Sequence, residues 1–141
     1  MAVIVADRKE GKLEVLERIS ELYDYSSQLC QSEKYFPKRT RWLLANRILN
    51  GVIDAGEAIA MANSLSLDTI EDYSLRREYQ AAAKAHLFRV LYLIELAYKD
   101  KGHHVSGRQA DYWVGLVENT LKKLAAWVRS DKERRKRLMP E

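Results

Sequence analysis

Cysteine is nearly absent from this chain of 141 residues: Cys30 stands alone, so no internal disulfide can form and no oxidising compartment is required. Long apolar runs are missing too. The opening Met1-Ala2-Val3-Ile4-Val5-Ala6 is too short for the apolar region of a signal peptide and leads at once into Asp7-Arg8-Lys9-Glu10. Neither a leader nor a membrane contact is predicted, and the protein is expected in the cytoplasm. Gly-rich phosphate loops, Pro/Gly/Ser-rich linkers and internal repeats are lacking, and no polar/apolar alternation marks a strand. What remains suits one domain, long enough to bury a core without staples.

The chemistry of catalysis is thinly represented. None of the three histidines, His86, His103 and His104, has a Glu three residues before it, which excludes the inward Glu-x-x-His pairs of a di-iron bundle. His103-His104 falls at a helix connection where adjacent side chains diverge, so a polar turn is favoured over a metal site. Glu14, Glu17 and Glu21 form a row between apolar positions and read as a solvated face rather than an acid-base pair. Cys30 has no basic or histidine partner in sequence and reads as a packed thiol. No enzyme activity, metal or cofactor is expected.

Helical periodicity is strong throughout. Leu13, Leu16, Ile19 or Ser20, Leu22 or Tyr23, Ser26, Leu29 and Cys30 predict a helix over about 12–34. Pro37 suits a helix start, and Leu44, Ala45, Ile48, Val52, Ala55, Ile59 and Ala62 predict a second over 37–63. Gly51 and Gly56 weaken it by about 1 kcal/mol each unless a neighbouring helix packs closely there. Asp68 with Glu71 predicts a capped third helix over 68–101, inner face Ile70, Tyr73, Arg77, Ala81, Phe88, Leu91, Ile94, Glu95 and Tyr98, stopped by Gly102. Ser106 with Gln109 opens a fourth over 106–130, whose stripe is Ala110, Trp113, Val117, Thr120, Leu124 and Trp127, widened by Val114, Leu121 and Val128. Four long helices on short connections predict an all-α, up-down-up-down antiparallel four-helix bundle. The basic tail, 131–141, is expected to fray or be disordered, starting beyond Arg129.

Charge is unevenly spread. Residues 1–33 hold four Lys/Arg and seven Asp/Glu, whereas residues 101–141 hold ten and five. An acidic beginning and a basic end point to a polyanion or an acidic partner. Arg108, Lys122, Arg129 and Lys136 stand at multiples of seven along one edge of the fourth helix. Lys34, Lys38, Arg39 and Arg41 surround the first helix junction, and Arg76, Arg77, Lys84 and Arg89 lie on the third helix. Solubility and intrahelical pairing account for some of these. Lys132, Arg134, Arg135, Lys136 and Arg137, offset only by Glu133, predict diffuse phosphate contact without base readout. Trp42, Trp113, Trp127 and eight tyrosines exceed what one small core easily encloses; the three tryptophans are candidates for a subunit interface, with burial inside the monomer as the alternative.

Tyr35-Phe36-Pro37-Lys38 ahead of an Arg-punctuated helix, a third helix ending in Lys-Gly-His, Ser106-x-x-Gln109, Glu118 and the pair Leu124-x-x-Trp127 together resemble the accessory variability determinant proteins of diversity-generating retroelements. These belong to a wider set of four-helix proteins that includes those encoded by intervening sequences in bacterial ribosomal RNA genes. The resemblance spans residues 13–137, and the acidic first helix has no place in its pattern. It implies a homopentameric ring with a basic surface that binds the retroelement's reverse transcriptase and its template RNA or DNA, supporting mutagenic complementary-DNA synthesis without being a polymerase. Lys38, Arg41, Arg89 and Arg129 with the tail match the family's basic positions. The alternative is a ribosome-associated or purely structural bundle whose basic tail is incidental.

Overall fold

The computed structural model describes residues 10–100 and 105–138, the first four of them by backbone alone. Four helices pack against one another, and no strand occurs among the described residues. Helix α1 is Glu10–Cys30, and α2 runs through Lys38–Thr40, a π-helical turn at Arg41–Ala45 and Asn46–Asn63. Helix α3 is Ile70–Lys99 and α4 is Gly107–Leu138. Each helix packs on its neighbours in the chain, and α1 closes on α4. Cross-contacts give the directions: Glu14 meets Lys123 and Ser26 meets Trp113 across α1 and α4, while Arg76 meets Asp131 across α3 and α4. Both pairs of helices therefore run antiparallel, and the ends of α1 and α3 lie with the starts of α2 and α4.

The core is built from the expected stripes of α1, α2 and α4. Val15, Ile19, Leu22, Leu29 and Cys30 are buried against Ile48, Val52, Ala55 and Ile59, and against Trp113, Val117, Leu124 and Trp127. Trp113 donates its indole N–H to the buried Ser26 hydroxyl at 2.8 Å, so the ring is enclosed without an orphaned donor. Gly51 lets α2 approach α3: a Cβ there would stand 2.8 Å from Val90 Cγ2.

Helix boundaries move where side chains compete for backbone groups. Helix α1 ends at Cys30, four residues before the sequence expectation, because Ser32 takes the Lys34 N–H on its hydroxyl (3.2 Å) and the Phe36 N–H on its carbonyl (2.9 Å). That turn delivers Phe36 into the core. Pro37 is the N-cap of α2 and not its first helical residue. At α3 the cap is Thr69, whose hydroxyl accepts the Asp72 N–H at 3.1 Å. Asp68 stays in the loop, its N–H held by Ser66 Oγ and its carbonyl by Arg135. At α4 the reciprocal box forms as expected: Gln109 N–H donates to Ser106 Oγ at 3.0 Å and Ser106 N–H to Gln109 Oε1 at 2.9 Å. The stop expected at Gly102 and the pair His103-His104 lie outside the described residues.

Two expectations are corrected. The inner face of α3 is Arg76, Gln80, Ala83, Leu87, Val90, Leu93, Ile94 and Ala97, whereas Phe88 and Tyr98 are exposed. The register slipped because Arg76 and Gln80, polar residues a hydropathy pattern assigns to solvent, point inward. The tail does not fray beyond Arg129, since α4 stays helical to Leu138. Asp131 is the reason for both. Its carboxylate, fully buried, accepts from Arg76 Nε (2.7 Å) and Nη2 (2.9 Å), Gln80 Nε2 (2.9 Å) and Arg134 Nη2 (2.8 Å). Arg76 also donates to the Leu65 carbonyl at 2.6 Å and lies 5.0 Å from the Trp127 ring centre.

Candidate nucleic-acid interface

The basic residues fall into two clusters at opposite ends of the bundle. The first surrounds the α1–α2 junction, where α2 begins beside the start of α4: Lys38, Arg39 and Arg47 are exposed, Arg41 is half-buried, and Arg108 is exposed on the first turn of α4. Arg41 is loosely tied, its guanidinium 3.8 Å from Glu33. The second lies on the last turns of α4, where Arg129, Lys132, Lys136 and Arg137 are exposed. Helix α4 is a rod of 32 residues, about 48 Å long, so Arg108 and Lys136 stand about 42 Å apart along its axis. Lys122 is exposed between them. The exposed cations therefore extend along the length of α4, concentrated at its two ends.

Three of the expected contact residues are engaged elsewhere. Arg134 neutralises Asp131, and Arg135 donates to the Leu67 carbonyl at 2.7 Å and the Asp68 carbonyl at 3.1 Å, pinning the α2–α3 loop. Arg89 is paired with Asp54 at 2.8 Å across α2 and α3, at the surface where such a pair adds about 0–1 kcal/mol. Its charge is largely offset there. Of the three tryptophans, Trp113 and Trp127 are buried within the chain, at 0% and 1% exposure, which removes them from any interface between copies. Trp42 is 78% exposed.

A feature the sequence pattern missed lies between α3 and α4. A groove of about 420 Å³ is lined by the apolar Ala81, Phe88, Leu121, Leu124, Ala125 and Val128 together with Arg77, Lys84 and Arg129. The buried Gln80 also lines it, and its Oε1 has no hydrogen-bond partner among the described residues. The periodicity of α3 hides this groove, because its spacing places Ala81 and Phe88 on the inner face whereas both are exposed.

The other candidates resolve plainly. Glu17 and Glu21 bracket Arg18 at 3.6 and 3.5 Å, and Glu14 meets Lys123 at 3.2 Å, so the acidic row is an exposed, partly neutralised face. Cys30 is 3% exposed, and burial pushes its thiol up to about 12. Such a thiol is poorly suited to nucleophilic work. Among the described residues, no group of three or more His, Cys, Asp or Glu is placed to hold a metal ion, and no helix is long and apolar enough to cross a membrane. Fold and surface together define an all-helical module with basic ends. Comparison with protein-family models, curated proteins and solved structures finds no match.

Proposed function

We propose that this chain is a non-catalytic accessory protein of a diversity-generating retroelement, acting in the cytoplasm, where it binds the reverse transcriptase and template RNA or DNA and supports mutagenic complementary-DNA synthesis. The observation that carries the reading is the set of exposed cations at the two ends of the bundle: Lys38, Arg39 and Arg108 at one, Arg129, Lys132, Lys136 and Arg137 at the other. Two basic patches about 42 Å apart suit an extended polyanion that spans the module. The proposal includes assembly into a homo-oligomer, a pentameric ring by the family resemblance. Apolar surface is available for it at the α3–α4 groove and at the exposed Phe88 and Tyr92.

The structural reading of the tail retains one observation in its favour: Arg134 and Arg135 serve the fold. In that reading the protein is a structural or ribosome-associated bundle, and only the first junction and the outer face of the tail carry surplus charge. A pull-down with the candidate reverse transcriptase, with and without nuclease, separates the two. Recovery of the enzyme supports the accessory role, and its persistence after nuclease marks a direct protein contact. Failure to recover the enzyme under either condition refutes it.

A further inference from the structure

Trp42 is the only exposed tryptophan of the three and contributes almost nothing to the core. It sits in the π-helical turn Arg41–Ala45, where Leu44 and Ala45 face inward and Trp42 is left outside. Lys38 and Arg39 precede it by four and three residues, the spacing of neighbours on a helix surface. Arg47 follows by five, on the first turn of the α-helical segment that continues from the π turn. These three cations are exposed, and no acid among the described residues is paired with them. A little earlier on the same junction, Lys34 lies 5.4 Å from the centre of the Tyr35 ring.

An indole set among unpaired cations has the composition of a single-strand tract: the cations take phosphates, and the ring takes the face of a base. Duplex offers only the phosphates, because its bases are stacked on one another. Leu43, 67% exposed beside Trp42, enlarges the apolar surface but does not favour a two-fold contact with a second copy. Such a contact would bring the same cations together, whereas a head-to-tail contact of the kind a ring uses would not, and that occupant is an outcome of the test below. We infer that Trp42 is a stacking platform that makes the first basic patch prefer single-stranded over duplex nucleic acid, an inference that rests on the nucleic-acid binding proposed above.

The full chain provides its own probe, since Trp113 and Trp127 are buried and aqueous iodide reaches chiefly Trp42. Binding of a short uridine homopolymer should itself quench the iodide-accessible emission by stacking on the ring, whereas an RNA duplex of equal length, held only through its phosphates, should leave that emission unquenched. In anisotropy titrations, Trp42→Ala should weaken the single strand about fivefold to 100-fold and duplex less than twofold, with Trp42→Phe intermediate. Circular dichroism should show unchanged melting for both variants. Equal single-strand affinity for parent and Trp42→Ala overturns the stacking role while leaving the wider nucleic-acid reading intact. So does a Trp42→Ala variant that binds normally but scatters light as a smaller particle, which would assign the ring to an interface between copies. Absence of binding by the parent protein overturns both.

Discussion

Asp131 should be the most sensitive single position in the molecule. Its carboxylate and the Arg76 guanidinium form a two-point pair at 2.7 and 2.9 Å, with side-chain exposures of 0% and 5%. Asp131→Ala leaves Arg76 buried with only the Leu65 carbonyl and the Trp127 face for company, and an uncompensated charge in that position costs about 3–5 kcal/mol. Arg76→Met leaves Asp131 with Gln80 and the partly exposed Arg134, placing its cost at the lower end of that range. Replacing both, Arg76→Met with Asp131→Leu, removes the stranded charge altogether. The remaining cost is the acceptor lost by Gln80, about 1–3 kcal/mol, with smaller losses at the partly exposed Arg134 and at the Leu65 carbonyl. The two changes should therefore be strongly non-additive, with a coupling of several kcal/mol. Against a total stability of about 5–15 kcal/mol, each single change is severe and should lower the melting temperature by about 10 °C. Urea unfolding of the four proteins, followed by circular dichroism, measures the cycle. Single variants within about 1 kcal/mol of the parent, or an additive double variant, would refute the reasoning.

Gly51→Ala should destabilise by about 1–2 kcal/mol, because the new methyl meets Val90 Cγ2 at 2.8 Å and the crowding outweighs about 1 kcal/mol of helix propensity. Gly115→Ala has nothing within 4 Å and should stabilise by about 0.5–1 kcal/mol, so paired melting curves should move in opposite directions. Ser106→Ala removes the α4 cap and should cost about 1 kcal/mol, with faster hydrogen exchange at the Gln109 amide as its local sign. Cys30 should resist alkylation in the folded chain at neutral pH. Its thiol is raised from 9.0 to about 12, so the neutral form favours folding; that stability is complete below about pH 9 and is lost as pH rises toward 12. Rapid alkylation of native protein at pH 8 would contradict the burial.

The apolar stripes of α1, α2 and α4 were legible because few polar residues interrupt them, and Ser106-x-x-Gln109 announced its cap for the same local reason. Helix α3 was not legible. It carries apolar side chains on two faces, and the buried one begins with Arg76 and Gln80, whose partner Asp131 lies 55 and 51 residues away. That single long-range pairing also explains the tail: a run of like charges reads as a solvated end, yet Arg134 and Arg135 are tied to Asp131 and to the α2–α3 loop. Neutralising those two residues would disturb the fold as well as the charge. The basic surface is better tested through Lys132, Lys136 and Arg137, which are exposed.

The claim that the exposed cations at both ends bind nucleic acid is tested most directly by a salt titration of single-stranded RNA affinity. Parent protein should be compared with Lys38→Gln/Arg39→Gln/Arg108→Gln and with Lys132→Gln/Lys136→Gln/Arg137→Gln. Each phosphate contact on a single strand contributes a log-log slope of about −0.7, so each triple variant should flatten the parent's slope by up to about 2 while leaving helicity unchanged. Binding that is insensitive to salt, or slopes that neither triple variant changes, would contradict the account.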